Sequence, residues 1–210
     1  INTVFGKIGI EYLEPADLEE YAKRYNFNKE IPSDLPIETG FAEIPREQYA
    51  LAEIASGFNK INKMSPIQGA MIAAAIIQDG TMKAPYVVDS ITNDQGEVVY
   101  QGKPLAVENV VSPASAEKLR ELMTETVTNG TSRKIFRKII GHKGFEGAEF
   151  GGKTGSLHGD EPKGKCDWFV GYGKFNEKEI AVAAITVNVD RWTVKSSYLA
   201  QSAMLSYLSK

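Results

Sequence analysis

The chain has 210 residues, 42% of them hydrophobic and 24% charged, with a formal net charge of −3. This is the make-up of one globular domain, or a large piece of one, able to bury a core of useful size. There is no basic excess to suit nucleic acid and no apolar run of the ~18 residues that a membrane span needs. No signal peptide is evident, and the single cysteine, Cys166, excludes an intrachain disulfide.

Val4, Phe5, Ile8 and Leu13 give a helical stripe from the first residues. Pro15 falls in the first turn of a second helix, with Leu18, Tyr21, Ala22 and Tyr25 on one face. Residues 26–47 carry Pro32, Pro36, Gly40 and Pro45 and read as a long irregular loop. Loops of that length either cover a site or run over the surface. Ser65, Pro66 and Gln68 form the start of a helix with a capping box. It is apolar almost all round to Ile77, so it is expected to be buried, and Gly80 ends it.

A hairpin follows, with strands near 86–92 and 97–101 about Asn93-Asp94-Gln95-Gly96. Ser112-Pro113 opens a helix whose Leu119, Leu122, Met123 and Val127 are expected to face the core, and Asn129-Gly130 stops it. A short helix is expected from Thr131 to Ile140, with Arg133, Lys134, Arg137 and Lys138 on a solvated face. Strands near 148–155, 166–173 and 179–188 form a meander. The last helix is expected over 194–208, packing through Tyr198, Leu199, Ala203, Met204, Tyr207 and Leu208.

The stretch richest in chemistry is Gly151-Gly152-Lys153-Thr154-Gly155-Ser156. Glycines let a ligand approach the backbone, the lysine supplies charge, and the hydroxyls supply directional hydrogen bonds. Residues 147–154 also satisfy G-x-x-x-x-G-K-[ST], a phosphate-binding loop. Such a loop follows a buried strand and opens a helix. Here residues 141–146 are polar and glycine-rich, and Gly155, Gly159 and Pro162 break any helix after Thr154. P-loop nucleotide binding is therefore only a remote alternative.

Lys153-Thr154-Gly155-Ser156 resembles the K-[ST]-G-[ST] motif of penicillin-binding proteins, the serine D,D-transpeptidases. Trp168-Phe169-Val170-Gly171-Tyr172 resembles the strand that follows it in that family. Met64-Ser65-Pro66-Ile67-Gln68 with Ala70, Ala73, Ala74 and Asp79-Gly80 resembles its "T-P-x-Q-x-A … N-G" helix. Pro85 with Gly96-Glu97-Val98-Val99 resembles the hairpin after that helix, and Asn129-Gly130-Thr131 the "G-T" turn. Ile1-Asn2-Thr3-Val4-Phe5 resembles the end of the S-x-N motif, with Asn2 as its Asn.

The resemblance implies an α/β fold of α+β type, an antiparallel sheet flanked by helices, β-lactamase/transpeptidase-like and incomplete on its N-terminal side. Residues 1–210 would be a single partial transpeptidase domain. It would crosslink peptidoglycan through a serine acyl-enzyme and bind β-lactams when complete. The nucleophile-bearing S-x-x-K is expected to lie outside the chain. Ser115-Ala116-Glu117-Lys118 matches that pattern but follows Asn2, where the family places it before.

The resemblance assigns Lys153 to the catalytic charge, Thr154, Gly155 and Ser156 to the ligand's carboxylate, and the Ser156 N–H to the oxyanion hole. It assigns Asn2 to orientation of the substrate amide. Trp168 is either a substrate wall or a core aromatic. The partners implied are a D-Ala-D-Ala stem peptide or a β-lactam and the N-terminal part of the same protein. No nucleic acid, metal or cofactor is expected. The place of action is the extracytoplasmic face of the bacterial membrane, reached through an upstream anchor. A non-catalytic β-lactam sensor or envelope interaction module is the alternative.

In that family the central sheet has five strands, the first of them upstream of S-x-N. The meander would then present an open edge, which is a pairing hazard. Cys166 with His142 or His158 could form a nucleophile–base pair, but a cysteine opening a strand is more often a small buried hydrophobe. One cysteine and two histidines 16 apart match no trusted metal spacing.

Overall fold

The computed structural model describes residues 2–141 and 143–210, and of Glu108 the backbone alone. Its centre is an antiparallel meander of three long strands, β5 (Glu149–Asp160), β6 (Lys163–Phe175) and β7 (Lys178–Asn188), in the order β5-β6-β7. β5 and β6 run several residues beyond the sequence expectation, because their pairing continues without a break from Glu149↔Lys174 to Asp160↔Lys163.

Directly opposed residues share a face of an antiparallel pair. Gly151 with Tyr172, Lys153 with Val170 and Gly155 with Trp168 therefore point one way. Gly152 with Gly171, Thr154 with Phe169 and Ser156 with Asp167 point the other. The first face is covered by α4 (Pro66–Ile77), and the two come so close that a Cβ on Gly69 would touch Val170 and Ala183. The second face is covered by α7 (Ser196–Leu208), where Ala200, Met204 and Leu208 join Phe136, Phe150 and Phe169 in the main core. Phe136 and Phe169 stack with ring centroids 5.5 Å apart, an arrangement that adds to the area burial.

α4 forms because Ser65 accepts from the Gln68 N–H at its N-terminus, with Pro66 in its first turn. Only half of the expected capping box is present. Gln68 is wholly buried, and its amide donates instead to the carbonyl of Tyr25, 3.1 Å away. After α4 the chain turns through Gly80 at φ +92°, where a Cβ would collide with the Val111 carbonyl.

α5 (Pro113–Thr128) is capped by Ser112 and lies beside β5. Met123 and Val127 are buried as expected, but Leu122 is 67% exposed and belongs to the outer face. Two small sheets pair β1 (Thr81–Ala84) with β4 (Leu105–Asn109), and β2 (Ser90–Thr92) with β3 (Val98–Gln101). The hairpin was legible in sequence and the β1–β4 pair was not. α6 is a single turn, Arg133–Phe136, shorter than expected; Arg133, Lys134, Arg137 and Lys138 are all exposed.

At the start of the chain α1 (Asn2–Glu11) and α2 (Pro15–Arg24) form where two helices were expected, but Leu13 falls beyond α1 and the stripe on α1 faces outward. Val4, Phe5 and Ile8 are exposed, while Gly6 and Gly9 pack on Ala52 and Ala55 of α3. α3 (Gln48–Ala55) had no counterpart in the sequence reading; the Glu47 side chain caps it by accepting from the Tyr49 and Ala50 N–H groups. In α7 the packing set also differs. Tyr198, Leu199, Ala203 and Tyr207 are exposed, and Ala200 and Gln201 are buried in their place. Among the described residues no helix is long and apolar enough to cross a membrane.

Candidate active site

Among the described residues β5 is an edge strand, and its two halves are covered differently. Along the first half α5 packs against it, and the rings of Tyr172 and Phe169 lie over Gly151 and Gly152. A Cβ on either glycine would fall 2.6 or 2.2 Å from ring atoms. The cover stops just past the end of α5, where the hydroxyls of Thr131 and Thr154 meet at 2.8 Å. From there Gly155 and Ser156 are exposed. Lys153 projects at this boundary, and its ammonium donates to the Thr154 carbonyl at 2.6 Å. The residue as a whole is exposed, yet partial burial of its ammonium holds it below the usual lysine range.

The Ser156 hydroxyl turns toward α7 and donates to Asp167 Oδ1 at 2.9 Å. Asp167 is buried, and its other oxygen accepts from the backbone N–H and hydroxyl of Ser196 at 3.0 and 2.9 Å. A carboxylate at the first turn of α7 also suits the positive end of that helix. Lys153, Thr154 and Ser156 are thus joined by two residues the sequence reading did not single out for this site in these roles, Thr131 as a hydroxyl partner and Asp167 as an anchor. Trp168 is half-buried on the face of Lys153, opposite Gly155. Asn2 is exposed in the first turn of α1, a helix that packs on α3.

Three other readings can be placed. β5 continues as a strand from Thr154 to Asp160, so no helix N-terminus follows the G-x-x-x-x-G-K-T run and the P-loop reading fails. Ser115 lies in the first turn of α5, where its N–H and hydroxyl both meet the Ser112 hydroxyl, while Lys118 pairs with Glu121. Ser115 and Lys118 therefore form no dyad. Cys166 is half-buried on β6 opposite Leu157; its possible partner His142 lies outside the described residues. Among the described residues no group of three His, Cys, Asp or Glu could hold a metal ion.

A cavity of about 460 Å³ lies at the far end of β5, beside Glu149. Its cations are already paired, Arg120 with Asp79 at 3.0 Å and Lys174 with Glu179 at 2.9 Å. The open rim after Thr154 is the better site, because Lys153, Gly155 and Ser156 are exposed there beside uncovered backbone.

Residues 1–205 match the model of the penicillin binding protein transpeptidase domain. Stage V sporulation protein D of Bacillus subtilis is 28% identical over 160 residues, 74% of this chain and 23% of that protein. The peptidoglycan D,D-transpeptidase PbpA of Mycobacterium tuberculosis is 27% identical over 210 residues, 95% of this chain and 39% of that protein. Among solved structures, the D,D-transpeptidase domain of an Eggerthella lenta peptidoglycan glycosyltransferase is 25% identical. It superposes with a TM-score of 0.78 over 99% of this chain and 50% of that one. The ceftriaxone acyl-enzyme complex of M. tuberculosis penicillin-binding protein A, also 25% identical, gives 0.79 over 100% of this chain and 46% of that one. This chain therefore spans half or less of each of these relatives. With the transpeptidase domain model matching nearly its whole length, the chain belongs to the penicillin-binding protein transpeptidase domain family.

Proposed function

We propose that the chain is the C-terminal part of a peptidoglycan D,D-transpeptidase, and that the open rim of β5 receives a D-Ala-D-Ala stem peptide or a β-lactam. The observation that carries this reading is the convergence of Lys153, Thr154 and Thr131 at the point where α5 stops covering the strand. The attacking serine comes from an S-x-x-K segment outside these 210 residues, as the engagement of Ser115 and Lys118 elsewhere supports.

That serine forms an ester with the penultimate D-Ala carbonyl, and the terminal D-Ala leaves as an amine carrying the serine's proton. The amine of a second stem peptide then attacks the ester and returns the serine. Lys153 places positive charge beside the ligand's carboxylate and the attacking group. Its depressed proton affinity suits a lysine that works next to transferring protons. Thr154, held by Thr131, presents its hydroxyl to the carboxylate. Gly155 leaves the backbone open to the ligand, and the Ser156 N–H donates to the developing oxyanion. Asn2 orients the substrate amide, and Trp168 forms a wall on the Lys153 face. The place of action is outside the cytoplasm, with an upstream anchor at the membrane.

Acylation by a fluorescent penicillin tests the proposal. The protein extended upstream through S-x-x-K should be labelled and the 210-residue chain should not. Labelling of neither defeats the reading.

A further inference from the structure

Trp192, in the turn between β7 and α7, is 43% exposed and carries two ammonium groups on its ring. Lys165 Nζ lies 3.9 Å from the ring centroid and Lys195 Nζ 4.8 Å, both within the range of a cation–π contact. Among the described residues neither lysine has a carboxylate partner, and Arg191 adds an exposed charge next to Trp192 in the chain. The backbone sets this placement. Lys165 stands opposite His158 of β5 on one side and Asn188 of β7 on the other. The turn is tied down by the Asn188 side chain, which accepts from the Thr193 N–H at 3.2 Å, and by the Thr186 hydroxyl, which donates to the Val194 carbonyl at 3.2 Å. Such a gathering of charge is unfavourable by itself. The two ammonium groups repel each other across one ring. Lys195 also stands just before α7, at the positive end of that helix, with no side-chain cap. An anion would relieve both strains.

Position relative to the rim selects the anion. With the ligand's terminal carboxylate at Lys153 and Thr154 and its reacting carbonyl at the Ser156 N–H, the ligand runs along β5 toward His158. A peptide and a strand both advance about 3.4 Å per residue, so the residue before D-Ala-D-Ala comes beside Leu157 or His158. Lys165 is the next residue inward from His158, and its side chain shares that residue's face. We propose that Lys165 and Lys195, held on Trp192, form a subsite for an acidic side chain on the stem-peptide residue that precedes D-Ala-D-Ala. The assignment rests on the D,D-transpeptidase reading above and deepens it. The preferred acyl donor carries a carboxylate one residue before the reacting pair, and a donor with only an amine there meets two positive charges.

The test uses the full-length protein and the second-order acylation rates of benzylpenicillin and carbenicillin. These differ by one carboxylate, on the side-chain carbon next to the amide carbonyl, and that carbon stands where the Cα of the preceding stem residue would. The ratio of the carbenicillin rate to the benzylpenicillin rate cancels a general loss of active protein. Lys165→Gln with Lys195→Gln should lower the ratio about fivefold, the worth of two exposed charge contacts. Lys165→Arg with Lys195→Arg should keep it, because the charge stays. Lys178→Gln, at the opposite end of the sheet, should leave it unchanged and so separates the subsite from the protein's net charge. In the unmodified protein the ratio should fall as salt is raised. A ratio unchanged in the glutamine pair, or lowered equally by Lys178→Gln, overturns the proposal. Should the glutamine pair lose acylation by both penicillins, the single substitutions are read in the same way. If the unmodified full-length protein is acylated by neither penicillin, the D,D-transpeptidase reading fails and this subsite with it.

Discussion

Lys153 is expected to act as a cation at an unusual proton affinity, since partial burial disfavours its charged form and holds it below the ordinary lysine value of 10.5. The proposed role needs the charge. Acylation should therefore fall as pH rises through a midpoint below that value, and Lys153→Arg should lose this alkaline limb because a guanidinium stays charged. A profile flat to the ordinary lysine range would contradict the role. Lys153→Ala should slow acylation by about 10²–10³, the loss typical of a transition-state charge partner. The neighbouring glycines are a matter of space. Gly151→Ala sets a methyl 2.6 Å from the buried Tyr172 ring, so the ring or the strand must shift. It should destabilise by about 1–3 kcal/mol in a denaturant titration. At this scale the motif was legible, because Lys-Thr-Gly-Ser is contiguous. Its supports were not. Thr131 reaches Thr154 across 23 residues and Asp167 reaches Ser196 across 29, and no local pattern encodes such separations.

The helices around the sheet show how far a periodic pattern decides which face is buried. On α5, Val127 is fully buried and Leu122 is not, although the same periodicity placed both in the core. Val127→Ala should cost about 2 kcal/mol, from two lost methyl groups and the space they leave. Leu122→Ala should stay within about 0.5 kcal/mol. Equal costs by thermal unfolding would mean that the helix is rotated from the position described. α1 teaches the same point from the other side. Its apolar stripe faces outward and its glycines face α3, because two helices can approach most closely where side chains are absent. α3 itself was overlooked. It is only two turns long, follows a proline-laden loop and is capped by a glutamate instead of the usual serine or aspartate. The β1–β4 pair escaped because four- and five-residue strands far apart in sequence carry almost no periodic signal.

Taken as a whole, the molecule leaves apolar surface open. Val4, Phe5, Ile8 and Tyr12 are exposed on and just after α1, and β7 has a strand partner on one side only among the described residues. An unpaired strand edge and exposed apolar side chains each favour association. The 210-residue chain alone should therefore self-associate in sedimentation velocity, with a concentration-dependent average mass. A concentration-independent monomer would contradict this. The meander and most of the helices could be anticipated from hydrophobic pattern, and the sheet flanked by helices from the family resemblance. The division of β5 into a covered half and an open half could not, because it depends on where α5 ends in space. That division is the basis of the functional reading, and the decisive measurement is mass-spectrometric detection of penicillin acylation. It would be made on the 210-residue chain, on the protein extended upstream through S-x-x-K, and on that longer protein carrying Lys153→Ala. The account predicts a rapid covalent adduct on the extended protein alone, strongly slowed by the substitution. An adduct formed at the same rate with and without Lys153 would contradict it.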